Sequence, residues 1–309
     1  MVRFLLVRLR HAAVVVVGVA LLVFSLIHLI PGDPVEVMLG ESAQPADLEA
    51  LRHALGLDRP LHIQLWRYVQ GLVHFDLGTS LQSRRPVVQL LLERLPATLE
   101  LTAAALLLAI MVALPLGVVA ALRKNSNWDR GAMAFAILGV SVPSFWMGPL
   151  LILVFAVWLG WLPVSGHEGW SSLVLPAVTL GLGMSAILAR MVRSAVLDTL
   201  SEDYIRTARA KGLSMASVVW RHALPNALLP VITLLGLQLG ALLGGTVITE
   251  TVFSWPGIGQ LVVEAIQRRD YPVVQATVLF ISIAYVLVNT LTDVVYARVD
   301  PRVRLGDGL

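Results

Sequence analysis

Long uninterrupted runs of apolar residues dominate the chain, at 12–30, 98–121, 132–160, 173–193, 229–249 and 273–296. Crossing a hydrocarbon core about 30 Å thick takes about 20 helical residues, so each run is long enough for one transmembrane helix. The pattern predicts an all-α integral membrane protein with about six spans and both termini on one side. The third run is longer than a bilayer needs and carries Pro143 and Pro149, which predicts a tilt, a kink or a break.

A polar island at 200–230 separates the fourth run from the fifth. Ser201 is placed to N-cap a helix whose positive first turn holds Glu202 and Asp203, residues 204–211 are good helix formers, and Gly212 is placed to stop it. Ser214 is placed to cap a second helix, limited by Pro225 and Pro230. The expectation is helix, turn, helix, too basic to span a bilayer. Two roles are open on these residues alone: lying on an anionic inner leaflet, or docking against another protein.

Composition agrees with a membrane protein: of 309 residues 57% are hydrophobic and 14% charged, with mean hydropathy +0.79. The net charge of +3 leaves no nucleic-acid footprint, and the absence of cysteine excludes disulfides and thiolate metal sites. The basic N-terminus ahead of the first run resembles a secretory signal. That run is nevertheless long enough to span and lacks a small-x-small cleavage site, so it reads as an uncleaved first span. Lysine and arginine then orient the chain: 15 fall on the side of the termini and the island, against 2 in the short loops opposite. Segment 31–97 is too long to count. The termini and the island are expected in the cytoplasm.

These boundaries give a tail and first span at 1–30, an extracytoplasmic cap at 31–97, a core of five spans at 98–296 and a tail at 297–309. The core includes the 194–228 loop and an outer loop at 250–272. In the cap, turn-rich strings at 32–34, 55–60 and 76–80 punctuate short helical stretches. A packed cover over the spans is the expected role there.

Gly236, Gly240 and Gly244, with Gly245 adjoining, repeat at four-residue spacing in the fifth run. Such a face either receives another helix backbone or lines a translocation path. In the outer loop, 254–257 reads as a turn, 258–267 as a short amphipathic helix and 268–272 as a second turn, with Trp255 and Tyr271 as interfacial anchors. Glu250 and Asp293 sit near predicted span ends, where solvation or pairing costs little, and Glu250 is the candidate for an outer gate. His28 in the first run reads as a packing residue.

Neither lysine follows a glycine, so no Gly-Lys-Ser/Thr phosphate loop is present. The histidines at 11, 28, 53, 62, 74, 167 and 222 form no i,i+4 pair, and no G-x-S-x-G elbow occurs. Nothing in these motifs argues for an enzyme, and the chain cannot supply a phosphate-loop ATPase of its own.

The spacing Gly212, nine residues, then His222-Ala223-Leu224-Pro225 resembles the EAA loop of ABC importer permeases. Ala208 falls in register with the second Ala, while Arg206 and Thr207 replace Glu and Ala. The string YIRTARAKGL is similar to the variant in the dipeptide, oligopeptide and nickel importer family, in the first, B-type permease of the pair. GDP at 32–34, LGLDRP at 55–60, DLGTS at 76–80, RLPATLEL at 94–101, ETVFSWPGIG at 250–259, RDYPVVQA at 269–276 and the DPR ending at 300–302 resemble the same family. The resemblance implies a subunit of the bacterial or archaeal inner membrane working with a second permease, two cytoplasmic ATPases that hold ATP and Mg2+, and an extracytoplasmic substrate-binding protein. ATPase coupling would fall to Tyr204, Arg206, Thr207, Ala208, Lys211, Gly212, Leu224 and Pro225. Gly236, Gly240, Gly244, Glu250 and Trp255 would lie near the substrate path or outer gate. Peptides are the expected substrate, with glutathione or a nickel chelate as alternatives. An ATPase-independent secondary transporter or channel is the competing class, and it would need central intramembrane charges and inverted repeats.

Overall fold

The computed structural model describes residues 2–29, 35 and 44–299. The turn at 32–34 and the ending at 300–304 lie outside the described residues, as do the surroundings of His28 and Gly245. Among the described residues everything regular is helical, apart from one isolated bridge between Thr79 and Pro86. In order these are α1 (Val2–Leu29), α2 (Pro45–Leu55), α3 (Leu61–Val73), α4 (Val87–Leu122), α5 (Asn127–Ser141) and α6 (Ser144–Leu151). A π-helical turn, Ile152–Trp158, extends α6, and α7 (Trp170–Leu200) and α8 (Asp203–Ala210) follow. One short turn, α9 (Met215–Ser217), leads through a second π-helical turn, Val218–Ala223, into α10 (Leu224–Val252), and α11 (Ile258–Gln267) and α12 (Tyr271–Val299) close the chain.

Among the described residues four stretches are long and apolar enough to cross a membrane: Val87–Leu122, Trp170–Leu200, Met215–Leu242 and Tyr271–Val295. α1 adds a shorter apolar helix over Arg10–Ser25. Of the tilt, kink or break predicted for the third run, the structure shows a break: a pair of helices, Asn127–Ser141 and Ser144–Trp158, bent by 103°. The break is local chemistry. Val142 is extended (φ −90°, ψ 116°) because the ring of a following proline disfavours the helical region, and Pro143 opens the next helix where no amide hydrogen is required.

The contacts group Leu99–Trp255 with the segment from Ala284 onward in one compact unit, and Leu6–Thr98 with Pro256–Ile283 in a second. In the first unit α7 is the axis, packing against α5, α6 and α10. Small residues bring the backbones together: a Cβ on Gly117 would stand 2.7 Å from the Ala189 carbonyl, and one on Gly139 2.6 Å from the Ala186 methyl. Where α5 begins, Asp129 is buried and takes a bidentate ion pair from Arg193 of α7, at 2.5 and 2.8 Å.

In the second unit the core is Val87, Leu91, Leu261, Ala265, Val273 and Ala276. Phe24 of α1 stacks on Tyr68 of α3 at 5.9 Å. Gly56 (φ 69°) ends α2, its amide donating to His53 O, while the Leu57 amide reaches Arg52 O. Asp58 then turns back to the His53 imidazole at 2.7 Å, and that hydrogen bond holds its carboxyl below the usual range. These contacts account physically for the LGLD string.

Candidate functional site

α8 presents two faces. Ile205 and Ala208 are buried against Val218 and Ala223, with Leu200 alongside. Tyr204, Arg206, Thr207 and Lys211 point outward, and Trp220 adds an exposed ring nearby. The helix stop is the predicted one: Gly212 has φ 79°, its amide reaches Arg209 O at 2.9 Å, and the Leu213 amide reaches Ala208 O at 3.4 Å. These two bonds satisfy carbonyls that a helix end leaves open. Ser214 caps the next turn, its hydroxyl accepting from the Ser217 amide.

Three details of the island are corrected. Ser201 does not N-cap α8: its hydroxyl donates back to Asp198 O at 2.7 Å, because α7 runs on to Leu200 and needs closing there. Glu202 takes the N-cap position without a side-chain bond. Pro225 and Pro230 do not end the second helix, which continues to Val252. The wider π-helical turn, in which the Leu224 amide reaches Val219 O, precedes Pro225 and accommodates a ring that would collide with an α-helical carbonyl. Leu224 is buried and Pro225 exposed.

Arg206, at the position of the family's Glu, pairs with Asp203 at 3.4 Å across one helical turn. Both groups are well exposed, so the pair contributes little to stability and leaves the guanidinium on the surface. Thr207 donates to Asp203 O at 3.1 Å. A contact that sequence reasoning missed ties the two arms of the island: the Asn226 amide donates to the Tyr204 hydroxyl and to His222 O, both at 3.0 Å. No local pattern signals a pair 22 residues apart.

The glycine stripe divides. A Cβ on Gly236 would overlap the Thr292 side chain, and one on Gly240 would stand 3.2 Å from the Tyr285 ring, so these two admit α12. Gly244 has nothing within 4 Å and is not part of that contact. The expectation of cheap solvation for Glu250 is overturned: it is fully buried, as are Thr246 and Thr249 beside it, while Ile248 and Thr251 on the other face of α10 are exposed. Trp255 is likewise no interfacial anchor. It is fully buried, meets His167 edge to face at 4.3 Å, and its amide reaches Glu250 O at 2.8 Å. The cover comes from the loop before α7, where the Gly166 amide reaches Phe253 O and His167 holds Glu100 at 2.9 Å. Tyr271 is partly buried too, and its hydroxyl has no hydrogen-bond partner among the described residues. The helix predicted at 258–267 is present as α11.

With this geometry in place, the chain matches the family model for binding-protein-dependent transport system inner membrane components over residues 113–305. The N-terminal model of the same transport systems matches residues 1–102. The chain belongs to that family. The permease is 44% identical over 304 residues to the glutathione transport system permease protein GsiC of Salmonella paratyphi A, covering 98% of this chain and 99% of the relative. It is 45% identical over 286 residues to GsiC of Escherichia coli strain K12, covering 93% and 94%. Among solved structures, a chain of the inward-facing MetNI methionine ABC transporter aligns with TM-score 0.59 at 22% identity, over 69% of the permease and 97% of that chain. This last likeness is one of fold. The permease is therefore the membrane subunit of an ABC importer of the peptide and nickel family.

Proposed function

We propose that the permease forms one half of the translocation path of an ATP-driven importer for glutathione and short peptides of that size. The observation that carries this reading is identity of 44% to glutathione permeases along 98% of the chain. In this reading a second, related permease completes the path. Two cytoplasmic ATPases supply ATP and Mg2+, an extracytoplasmic binding protein delivers substrate, and both termini face the cytoplasm. α8 is the coupling helix: its outer residues Tyr204, Arg206, Thr207 and Lys211 meet an ATPase, while Ile205 and Ala208 pass the motion to the π-helical turn and so to α10. A short rigid helix packed on a span is suited to transmit rigid-body motion. Because Arg206 replaces Glu, its ATPase contacts differ in charge from those of the general loop. Glu250 and Trp255, buried within the subunit, shape the end of α10 at the outer gate, and Gly244 faces the path.

Uptake of labelled glutathione by cells whose only such importer contains this permease tests the reading, with dipeptides and nickel complexes as competitors. Glutathione uptake that requires ATP and is competed by short peptides is the expected result. Uptake that persists without ATP, or a purified complex that contains no ATPase, would sink it.

A further inference from the structure

The last turns of α3, the loop after it and the first turns of α12 line a cavity of about 280 Å³, at the small end of small-molecule sites. It lies within the unit formed by Leu6–Thr98 and Pro256–Ile283. Glycines shape it. A Cβ on Gly71 would stand 2.8 Å from Asp76 O, and its absence lets the chain reverse there, the Asp76 amide donating to Gly71 O at 2.9 Å. Gly78 (φ 78°) turns the loop toward Pro272, and its amide donates to Asp76 Oδ1 at 2.9 Å. Gly56 leaves room for the Arg67 guanidinium, since a Cβ there would stand 3.0 Å from Arg67 Nη1.

Arg67 and Asp76 both line this cavity, yet they form no ion pair with each other, and neither has another ion-pair partner among the described residues. Among the same residues the second carboxylate oxygen of Asp76 accepts no hydrogen bond, and the side-chain amide of Gln275, on the α12 wall, has no partner. Opposite charges that share one space without closing on each other fit a ligand that carries both signs, an ammonium near a phosphate or carboxylate.

The position of the cavity selects the source of such a ligand. Pro272, Gln275 and Ala276 belong to the first turns of Tyr271–Val295, a stretch long and apolar enough to cross a membrane, and the first turns of a span lie at headgroup depth. Trp66, Val73 and Phe75 adjoin the lining residues Arg67, Leu72 and Asp76 in the chain and are exposed, Phe75 at 88%. Phe75 holds φ 58°, a conformation that costs a bulky residue energy, to present that ring. Large apolar groups beside a cavity of two signs suit acyl chains next to a headgroup. We propose that the cavity binds a phospholipid whose headgroup carries a primary ammonium, with the phosphate on Arg67 and Gln275 and the ammonium on Asp76. The site is independent of what the importer carries.

The test follows the melting temperature of the purified permease, with the subunits that accompany it, as phosphatidylethanolamine, phosphatidylcholine or phosphatidylglycerol is added in detergent, and counts bound lipid by native mass spectrometry. Arg67→Gln and Asp76→Asn each remove one charge, and Asn keeps an oxygen for the Gly78 amide. Phosphatidylethanolamine is expected to bind about tenfold more tightly than phosphatidylcholine, whose quaternary ammonium cannot donate a hydrogen bond, and than phosphatidylglycerol, which offers Asp76 no cation. Arg67→Gln should weaken phosphatidylethanolamine about tenfold, and Asp76→Asn should bind the three lipids alike, both with unchanged lipid-free melting temperature. Equal affinity of the unaltered protein for the three lipids overturns the proposal whether or not the variants assemble. An unchanged lipid preference in both variants overturns it too, as does a lowered lipid-free melting temperature, which would make the two residues structural. Displacement of the lipid by glutathione or a dipeptide would assign the cavity to a soluble zwitterion and overturns it as well. None of these results touches the importer reading, which uptake decides.

Discussion

Replacing Gly212 by Asn, Ala or Val separates backbone from side chain at the turn that ends α8. The residue has φ 79°, and the place a Cβ would take is empty to 4 Å, so none of these substitutions meets a steric clash at that carbon. What remains is conformational. An L-residue held in the left-handed region costs about 1–2 kcal/mol, with asparagine the most tolerant and a β-branched residue the least. The same conformation closes the Gly212-to-Arg209 and Leu213-to-Ala208 bonds, so relaxing to negative φ opens both. A penalty of 1–2 kcal/mol is a factor of about 5–30 in the balance between closed and open turn. Opening frees the end of α8 from Val218 and Ala223, the buried residues that its cluster holds outside the helix among the described residues. The assay is substrate transported per ATP hydrolysed by the reconstituted importer. The expected order is Gly, Asn, Ala, Val, with Val close to uncoupled although the subunit still reaches the membrane. A Val variant with the unaltered ratio refutes the reasoning, and so does an Asn variant as impaired as Val.

The glycine stripe supplies an internal contrast: Gly236→Ala should destabilise by about 1–3 kcal/mol through overlap with Thr292, while Gly244→Ala should be close to neutral, measured by thermal unfolding in detergent. Removing one end of the Asp129–Arg193 pair, as in Arg193→Ala, should cost about 1.5–3 kcal/mol by the same measurement, and Arg193→Lys should recover only part because it cannot bond both oxygens. Trp255→Ala should cost about 3–5 kcal/mol and expose the loop over it, so that proteolysis at 160–169 accelerates.

What could be read from the sequence is what depends on neighbours in the chain. α11 has the predicted bounds because turn residues flank a clean amphipathic stretch. Gly212 and Ser214 act as expected because caps are made within one turn. Ser201 misled because its role depended on how far α7 continued, and Pro225 because a change of helical register absorbed its ring. Glu250 and Trp255 looked like surface residues at the end of a span. Trp255 packs against a loop about 90 residues earlier, and nothing in its own vicinity encodes that contact. The same distance hides the Asp129–Arg193 and Tyr204–Asn226 contacts, since neither Asp129 nor Asn226 carries a local signal of its partner.

The 103° break between α5 and α6 also bears on biogenesis. α5 has 15 residues and so is about 22 Å long, short of a hydrocarbon core about 30 Å thick. A nascent chain that has emerged only as far as the second half-helix holds no complete crossing there and leaves the polar backbone at Val142 and Pro143 without cover. Its cover is α7, which packs on both halves and is finished only at Leu200. At about 5–20 residues per second of synthesis, the broken pair waits on the order of seconds for the helix that completes it. Insertion of this part of the permease is thus a three-helix event: chains arrested near residue 165 should be extracted and degraded, and those arrested past residue 230, with α7 clear of the ribosome, retained.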